Sequence, residues 1–511
     1  MTPPPEFSPN GNHKLAIIDL GSNTTRMLII EVTANGAYHL VEEDKFVVRL
    51  SEGEAKDGEI KMPGLLRAID AMRLFKGMCE YHGVKDRIAV ATAAVRGARN
   101  QETFLRKLKE ETGIAFRVLS QEEEAYYGYL GVINTTSLAD GLIVDLGGGS
   151  MELTAIKGRA IAHSTSIPYG ALNLTEKFIN GEKPSDNKLK DLDAFVKQQL
   201  KGVDWLDQYR KSLLYGIGGT IRSIARINQR LSNYPFDELH NYEMSSQVLG
   251  SVYNLLKNMT PKELVDVPGL SRDRTDIIVA GTAAINTVIK YLEIPTIRVS
   301  SSGLRDGLFF HKFLKEPVVA DVSALAIDNI SRLYGVDITH ARRVCSLVES
   351  LFEGFKPLNG FTADHRRILR AAAMLHELGY YYDYGKRFNN TFYNVIDNPV
   401  YGFSHLDNYR TALVAASYGA GGIKSRFMFS NVPLGKDDLK EIKRLSLILA
   451  LADAFDRSRR GRISAVNCLL SKNSAVLKLQ YKGDILPEVM SAEERSGNFK
   501  KAFDRELIIE Y

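Results

Sequence analysis

The first part of the chain alternates short apolar runs, typical of strands, with longer stretches in which apolar residues recur at helical spacing. The runs Leu15–Asp19 and Arg26–Val32 predict two strands joined by a Gly-Ser-Asn turn, and a third strand follows at about Tyr38–Val41. Apolar residues three and four apart from Leu65 to Cys79 then predict a helix. Helices and strands alternate after that point. Three strands followed by such an alternation predict a mixed sheet with helices packed on it.

The same order begins again further along the chain. Apolar runs predict strands at Leu142–Asp145, Glu152–Ile156 and Ala160–Ser166, and helical spacing follows them. Two later short strands, Leu213–Gly216 and Thr296–Ser300, each run into a turn that contains glycine. Two β-rich openings, each followed by helices and strands, predict a duplicated pair of α/β domains.

The pattern changes after Pro317. From about Val322 to Leu451 the apolar residues keep helical spacing with few strand signals, which predicts an all-helical domain. Near the C-terminus short strands return at Ala475–Gln480 and Glu506–Tyr511. Because 511 residues exceed what one core supports, we expect four domains, at residues 1–131, 132–315, 316–460 and 461–511.

Composition and charge limit the classes of protein to which the chain can belong. The chain has 66 basic and 61 acidic residues, and this mild excess is compatible with an anionic ligand but does not indicate DNA binding. Cys79, Cys345 and Cys468 follow no metal or disulfide spacing and are expected to be reduced thiols. The segment Met1–Lys14 has no apolar core, and no segment reaches the roughly 20 apolar residues of a membrane span. We therefore expect a cytoplasmic protein without a membrane-spanning segment.

Two stretches of the chain share one pattern, an apolar run followed by an aspartate and a turn of small residues. The first is Ile17–Thr24, which contains Asp19, and the second is Ile143–Ser150, which contains Asp145. A carboxylate delivered by a buried strand into such a turn can hold a divalent cation, and backbone without side chains lets N–H groups approach phosphate oxygens. Two copies that face each other would grip a phosphate chain from both sides.

The residues of the two turns are therefore candidate ligands. A plain hairpin turn is the alternative for the first of them, but three consecutive glycines in the second cost roughly 0.5–1 kcal/mol each relative to alanine, which close approach to a ligand would explain. Asp145 and Glu152 flank the second turn, and two carboxylates beside a phosphate loop suit a Mg²⁺ that keeps several waters. The expected phosphate-binding residues of the turns and the strand after the first are Gly21, Ser22, Asn23, Thr24, Arg26, Gly147, Gly148, Gly149 and Ser150.

Three further features lie outside the two turns. Glu123 and Glu124 begin a helix, where its dipole favours acidic residues, yet Glu124 is also a candidate general base for phosphoanhydride hydrolysis. The run Gly218–Thr220 precedes a helix and is a third phosphate-binding candidate, because helix N-termini present unpaired N–H groups to anions. Arg96 follows a strand end and is a candidate phosphate clamp, with a surface arginine as the alternative. The chain has neither a P-loop nor a Rossmann fingerprint, so kinases and dehydrogenases of those types are not supported.

Taken together, these residues resemble the exopolyphosphatase / guanosine pentaphosphate phosphatase family, which belongs to the actin-like, sugar-kinase-like ATPase superfamily. The resemblance covers about 300 residues and is specific, because its motifs occur in order. They are D-L-G-S-N-T at Asp19–Thr24, A-T-A-A-V-R ending at Arg96, S-Q-E-E-E-A at Ser120–Ala125, V-D-L-G-G-G-S-M-E at Val144–Glu152, G-I-G-G-T at Gly216–Thr220, P-G-L-S-R-D-R at Pro268–Arg274 and S-G-L-R-D-G at Ser302–Gly307.

The resemblance implies an α/β fold with two actin-like (ribonuclease H-like) domains flanking a cleft, followed by an all-α HD-like domain and a small α+β C-terminal unit. It implies that Glu124, with Glu123 as the adjacent candidate, activates water. It also implies that Asp145 and Glu152 help to bind Mg²⁺, with Asp19 as a third candidate ligand, Mn²⁺ as an alternative metal and K⁺ as a stimulating ion. Members of the family remove phosphate from the end of inorganic polyphosphate or from guanosine pentaphosphate, and a homodimer is expected from the family alone.

The resemblance extends into the helical section. Ala372–Gly379 looks like the degenerate HD-type domain of the longer family members, with Glu377 in place of the aspartate of the His-Asp pair. The stretches Asn389–Tyr393 and Ala416–Tyr418 lack the histidines expected near there. The sequence therefore predicts no second metal centre.

We thus expect an exopolyphosphatase. A guanosine pentaphosphate 5′-phosphohydrolase is the alternative within hydrolase chemistry. A non-catalytic sensor of polyphosphate or nucleotide is the alternative from another class, and the retention of Glu124, Asp145 and both turns argues against it.

Overall fold

The computed structural model describes residues 11–50, 52, 58–179, 183–381, 383–419 and 423–511. The chain divides into two compact units, one ending at Val322 and the other beginning at Ser323. Most of the segment Met1–Lys14, which the sequence predicts to hold no targeting signal, lies outside the described residues. Every helix among the described residues is too short or too polar to cross a membrane.

The first sheet of the first unit has five strands: β1 His13–Leu20, β2 Thr24–Val32, β3 Tyr38–Val47, β4 Asp86–Ala91 and β5 Arg117–Val118. Their order across the sheet is β3-β2-β1-β4-β5. The central strand β1 pairs antiparallel with β2 and parallel with β4. It is buried on both faces, and Leu15, Ala16, Ile17 and Ile18 are all 0% exposed. A continuous apolar run is what such a doubly covered strand requires.

The second sheet has six strands: β6 Gly141–Leu146, β7 Met151–Lys157, β8 Ala160–Ile167, β9 Leu214–Ile217, β10 Glu243–Ser245 and β11 Thr296–Val299. Their order is β10-β11-β9-β6-β7-β8, in which β6 is antiparallel to β7 and parallel to β9. Apart from the added edge strand β10, this sheet repeats the topology of the first. The two sheets therefore have the duplicated arrangement that the sequence predicts.

Eleven helices of the first unit lie among the described residues: α1 Met62–Tyr81, α2 Ala93–Gly97, α3 Gln101–Thr112, α4 Gln121–Ile133, α5 Ala171–Phe178, α6 Asp186–Lys201, α7 Gly219–Leu231, α8 Ser246–Leu256, α9 Pro261–Leu264, α10 Ile278–Tyr291 and α11 Leu304–Phe313. Helical spacing in the sequence extends from Asp273 to Leu292, but α10 begins only at Ile278. A single 3₁₀ turn at Arg272–Arg274 precedes it and buries Arg274. This turn directs the Arg274 side chain into the protein, and α10 begins only after it.

Helices α4 and α11 pack with their backbones in unusually close contact. A Cβ atom added to Gly307 on α11 would lie 1.8 Å from the carbonyl oxygen of Tyr127 on α4. A Cβ atom added to Gly131 would lie 2.2 Å from the carbonyl oxygen of Gly303. Glycine at these positions therefore fixes the distance between the two helices.

The Gly307→Ala variant should destabilise the first unit, since its new methyl group meets backbone that cannot turn aside. We expect the free energy of unfolding to fall by about 1–3 kcal/mol, the usual cost of overpacking. Urea denaturation followed by circular dichroism measures it. Gly77→Ala on α1 is the matched control, because nothing lies within 4 Å of its added Cβ. Gly77→Ala should stabilise by about 0.5–1 kcal/mol, and an equal loss in both variants would contradict the packing argument.

The second unit contains eight helices among its described residues: α12 Val322–Leu333, α13 Ile338–Asn359, α14 Ala363–Leu375, α15 Arg387–Asp397, α16 His405–Ser417, α17 Lys436–Ala454, α18 Leu486–Glu493 and α19 Ser496–Phe503. Its strands are β12 Ile463–Leu470, β13 Ser474–Tyr481 and β14 Glu506–Glu510, in the order β12-β13-β14. The helices predicted after Pro317 are present, and the strands near the C-terminus form one small sheet. The division into four domains stays a prediction.

Candidate active site

A cleft in the first unit collects residues from both sheets. Its empty space amounts to about 970 Å³, open solvent at its mouth included. Its lining comes from the ends of β1, β6, β9 and β11 and from the segments that follow them: Asp19, Gly21–Thr24, Arg26, Thr92, Ala93, Glu124, Asp145–Ser150, Ile217–Gly219, Arg222, Arg274 and Ser300–Asp306.

The two aspartate turns have the same backbone geometry. The N–H of Gly21 donates to the carbonyl of Thr24 at 3.1 Å, and the N–H of Gly147 donates to the carbonyl of Ser150 at 3.0 Å. Across the first hairpin Asp19 is paired in register with Arg26. At the equivalent register of the second hairpin, Asp145 is paired with Glu152. The duplicated turns therefore differ in charge, since one carries a guanidinium where the other carries a carboxylate.

The turns face each other at close range. A Cβ atom added to Gly149 would lie 2.6 Å from Oγ of Ser22, and one added to Gly148 would lie 3.1 Å from Cβ of Asn23. Side chains larger than hydrogen on the second turn would push the turns apart. Gly148 and Gly149 thus allow the close approach of one turn to the other, whereas a Cβ atom added to Gly147 would meet only the carbonyl oxygen of Ser150 in its own turn.

Asp19, Glu124 and Asp145 of the cleft lining and the neighbouring Glu152 occupy poorly solvated positions. Burial, opposed by Arg305, raises the pKa of Asp19 to about 6, and burial together with the nearby Glu124 raises the pKa of Asp145 to about 7. Burial followed by the charges of Glu124 and Asp145 also raises the pKa of Glu152 well above its ordinary value. Oδ1 of Asp19 is buried without a hydrogen-bond partner. Such crowding of carboxylates is costly unless a cation shares the site.

Glu124 and Glu123 have different surroundings although they are adjacent. Glu124 lines the cleft, its side chain is 16% exposed, and its Oε2 accepts a hydrogen bond of 2.8 Å from Nη1 of Arg96. Burial raises the pKa of Glu124 against the opposing effect of Arg96. Glu123 instead accepts a hydrogen bond of 2.9 Å from the N–H of Ser120 and forms an ion pair with Arg117. Glu123 therefore caps α4 and lies outside the cleft lining.

Four arginines from different elements also line the cleft. They are Arg26 on β2, Arg222 on α7, Arg274 in the 3₁₀ turn and Arg305 on α11. Burial, followed by the charges of Arg222 and Arg305, lowers the pKa of Arg26 to about 9. Burial and the charge of Arg26 lower the pKa of Arg274 to about 10. The four cations repel one another, and an anion in the cleft would relieve this repulsion.

Two of these arginines keep donors free for a ligand. Arg305 is 8% exposed and its Nη2 lies 2.9 Å from Oε1 of Glu43, while its Nη1 is buried without a hydrogen-bond partner. Nη2 of Arg274 donates to Oγ1 of Thr220 at 3.2 Å, while its Nε is buried without a partner. Unsatisfied buried donors are costly, so their presence in a cleft marks a place where a ligand supplies the acceptors.

The structure brings most of the predicted site residues into the cleft lining and leaves four outside it. Arg96 contacts Glu124 instead of the cleft, Glu123 caps a helix, Glu152 is paired with Asp145 on the neighbouring strand, and Thr220 is fully buried. Those found in the lining are Asp19, Gly21, Ser22, Asn23, Thr24, Arg26, Glu124, Asp145, Gly147, Gly148, Gly149, Ser150, Gly218 and Gly219.

Sequence reasoning missed three of the arginines. Arg274 and Arg305 stand inside P-G-L-S-R-D-R and S-G-L-R-D-G, and Arg222 follows G-I-G-G-T two positions later. These motifs were available as a signal, because a charged residue next to glycine in a turn before a helix is well placed to meet an anion. Ser300, Ser301 and Ser302 also line the cleft and were not predicted as site residues.

Comparison with known families and crystal structures shows to which proteins the chain is similar. The Ppx/GppA phosphatase family matches residues 28–316, and domain III of the Ppx/GppA phosphatases matches residues 322–491. A crystal structure of an exopolyphosphatase from Cytophaga hutchinsonii is similar with a TM-score of 0.56 and 24% identity, covering 59% of this chain and 97% of that one. A crystal structure of the Aquifex aeolicus Ppx/GppA family member is similar with a TM-score of 0.50 and 26% identity, again covering 59% and 97%. The chain therefore belongs to the Ppx/GppA phosphatase family and is a phosphoanhydride hydrolase.

Proposed function

We propose that the chain is an exopolyphosphatase, which releases terminal orthophosphate from inorganic polyphosphate by attack of water. The observation that carries this proposal is the position of Glu124, a largely buried carboxylate in the lining of a cleft that also holds Asp19, Asp145 and four arginines. A protein that only binds phosphate needs no more than the turns and the arginines. A carboxylate with a raised pKa beside them adds the means to take a proton from water.

We infer that Mg²⁺ binds at Asp19 and Asp145 in the cleft, with Mn²⁺ as an alternative. The residues fit such an ion, because both carboxylates line the cleft and Oδ1 of Asp19 is buried without a hydrogen-bond partner. Asp145 and Asp19 would hold the ion, with Glu152 supporting it from the neighbouring strand position. A bound divalent ion of this kind neutralises charge on phosphate oxygens. A stimulating effect of K⁺ remains a proposal from family resemblance alone.

The arginines and turns would hold the terminal phosphates. Arg305 and Arg274 offer the unsatisfied donors described above, and Arg26 lies across from Asp19 at the base of the first turn. Charge-assisted hydrogen bonds from guanidinium groups to phosphate are short and directional, so they fix the terminal phosphorus relative to Glu124. Such positioning accounts for much of the rate enhancement in phosphoryl transfer.

Glu124 would act as the general base. Its hydrogen bond from Arg96 leaves the carboxylate oriented, and the adjacent Ser120 and Glu123 fix the start of α4 through a capping box. Arg96 would then act as a positioning residue for Glu124. Glu124 would accept a proton from the attacking water as the oxygen approaches the terminal phosphorus.

Polyphosphate is favoured over guanosine pentaphosphate by the nature of the cleft lining. Among the described residues, those that line the cleft include no aromatic side chain that could stack on a guanine. Recognition of bases commonly uses such stacking. We therefore place the guanosine pentaphosphate 5′-phosphohydrolase second.

We also infer that the two sheets are actin-like halves, that the helical region is HD-like with a small C-terminal unit, and that the enzyme is a homodimer.

The test is release of phosphate by the purified full chain with Mg²⁺, measured on long-chain polyphosphate and on guanosine pentaphosphate. We expect kcat/KM to be higher for polyphosphate. A higher value for guanosine pentaphosphate would establish the alternative phosphohydrolase. Release from neither substrate, together with binding of polyphosphate, would leave a sensor as the function.

A further inference from the structure

A cluster of two histidines and two carboxylates lies in the second unit. His340 is on α13, His376 and Glu377 follow α14, and Asp453 is near the end of α17. Nε2 of His340 lies 3.3 Å from Oδ1 of Asp453 and 3.9 Å from Oε1 of Glu377. Nε2 of His376 lies 3.6 Å from Oδ1 of Asp453. Ligand atoms of His340, His376 and Glu377 thus all lie within 4.8 Å of one another, and Oδ1 of Asp453 lies beside both histidine nitrogens.

His376 is oriented so that its lone pair points into the cluster. Its Nδ1 lies 2.7 Å from the carbonyl oxygen of Ala373, which can only accept, so Nδ1 carries the hydrogen. Nε2 of the neutral ring is then an acceptor. His376 is 0% exposed, and this Nε2 has no hydrogen-bond partner. A buried lone pair that faces a carboxylate oxygen calls for a cation between them.

His340 also has an outer partner on Nδ1, and its Nε2 forms a hydrogen bond of 3.3 Å with Oδ1 of Asp453. Its Nδ1 lies 2.9 Å from Oδ2 of Asp456, whose other oxygen accepts the N–H of Gly461 at 2.8 Å. A carboxylate behind one ring nitrogen orients the other nitrogen toward a metal and raises its basicity. Both histidines therefore have the outer contacts that histidine ligands of metal ions have.

We propose that His340, His376, Glu377 and Asp453 form a binding site for a divalent first-row transition-metal ion, distinct from the cleft of the first unit. Ligand bonds of 2.0–2.2 Å in a tetrahedron place neighbouring ligand atoms about 3.4 Å apart. The separations of His340 from Asp453 and Glu377, and of His376 from Asp453, are 3.3–3.9 Å and lie close to this spacing. Two imidazole nitrogens with two carboxylate oxygens suit Zn²⁺, Fe²⁺, Mn²⁺ or Co²⁺ better than Mg²⁺, which prefers oxygen ligands alone.

The proposal departs from the absence of a second metal centre predicted from the sequence. That prediction depended on missing histidines at Asn389–Tyr393 and Ala416–Tyr418. The structure supplies ligands from elsewhere, His340 from an earlier helix and Asp453 from a later one. Glu377 also lies in the cluster. Its side chain is one methylene longer than that of the aspartate expected in the His-Asp pair.

Arg459 is the competing cation on the chain. Its guanidinium forms an ion pair with Glu377 and lies 3.2 Å from Oδ2 of Asp337. The Arg459 side chain is 43% exposed, and Asp453 is 22% exposed. An ion can therefore reach the cluster from the Asp453 side, and Arg459 can move into solvent when Glu377 binds the ion.

The test uses Co²⁺ as the probe, because its visible absorption reports inner-sphere nitrogen and oxygen ligands. The full chain is studied as Asp145→Asn, so that binding in the cleft of the first unit does not contribute. We expect one Co²⁺ per chain with visible bands that excess Mg²⁺ does not abolish. His376→Gln and Asp453→Asn should each weaken binding at least about tenfold. His163→Gln, which changes an exposed histidine of the first unit, should leave Co²⁺ binding unchanged.

Circular dichroism first establishes that each variant is folded. Should both ligand variants unfold, Arg459→Gln keeps the proposal testable, since removal of the competing cation should tighten Co²⁺ binding. Absence of the visible bands in the Asp145→Asn chain would overturn the proposal. Equal affinity in the folded His376→Gln and His163→Gln chains, or no gain in Arg459→Gln, would also overturn it.

Discussion

The Glu124→Gln variant is expected to lose about 10³-fold in kcat for phosphate release, with little change in KM. Glutamine has nearly the same shape as glutamate, so its side-chain oxygen can still accept the hydrogen bond from Arg96. It cannot take a proton from water. The arginines and the turns that hold the substrate are untouched, and therefore binding should be retained while the chemical step is lost.

Steady-state kinetics on long-chain polyphosphate measure this effect, and Glu123→Gln is the matched control. Glu123 lies outside the cleft lining, and glutamine at the third position of a helix maintains a capping box. We expect Glu123→Gln to keep kcat within a few fold of the wild type. A large loss in Glu123→Gln with near-normal Glu124→Gln would exchange the roles of the two residues.

The pH profile reports on Glu124 together with the other carboxylates of the cleft. Burial raises the pKa of Glu124 above its ordinary value, so the base becomes protonated at a higher pH than an exposed glutamate would. The acidic limb of kcat/KM for the wild type should accordingly lie above pH 4.3, the ordinary pKa of a glutamate. Measurement of kcat/KM between pH 4 and 8 locates it.

Much of the strand architecture could be read from the sequence because the central strands are buried on both faces. A continuous apolar run such as Leu142–Val144 indicates a buried strand when an acidic residue and a glycine turn follow it. The repeat of this pattern indicated how the two sheets are related. Helices that begin with little apolar periodicity were harder to place, and α2 was missed for that reason, since its five residues carry no helical period.

The different surroundings of Glu123 and Glu124 could be predicted from the sequence. Ser120 and Glu123 have the spacing of a capping box, which assigns Glu123 to the helix start and leaves Glu124 free. The arginine cluster was not decidable in the same way. Arg222, Arg274 and Arg305 come from segments far apart in the chain, and only the tertiary packing of two sheets brings them together.

Asp145→Asn should lower kcat/KM for polyphosphate by roughly 10²–10³-fold and abolish the stabilisation of the first unit by Mg²⁺. A ligand that binds only the folded state stabilises it by about 2.7 kcal/mol at one hundred times its dissociation constant. Wild-type protein should therefore unfold at a higher temperature with Mg²⁺ than without it. The variant should show no such shift, because an amide is a weaker ligand than a carboxylate.

The same substitution should raise stability when Mg²⁺ is removed, and the sign of this effect separates a metal ligand from a merely structural residue. The pKa of Asp145 is raised to about 7 in the folded protein, mainly by burial and then by Glu124. Its ionisation therefore opposes folding as pH rises from the unfolded pKa near 4 through about 7. At pH 8 with chelator, Asp145→Asn should unfold at a higher temperature than the wild type.

Asp140→Asn, just before the start of β6, is the matched control. Oδ1 of Asp140 accepts the N–H of Gly158 at 2.9 Å on the exposed side of the hairpin, and asparagine can accept the same hydrogen bond. This variant should keep both the activity and the Mg²⁺-dependent thermal shift. If Asp145→Asn retained the full Mg²⁺ shift, the ion would have to bind elsewhere, and Asp19 with Glu152 would be the remaining buried carboxylates that could hold it.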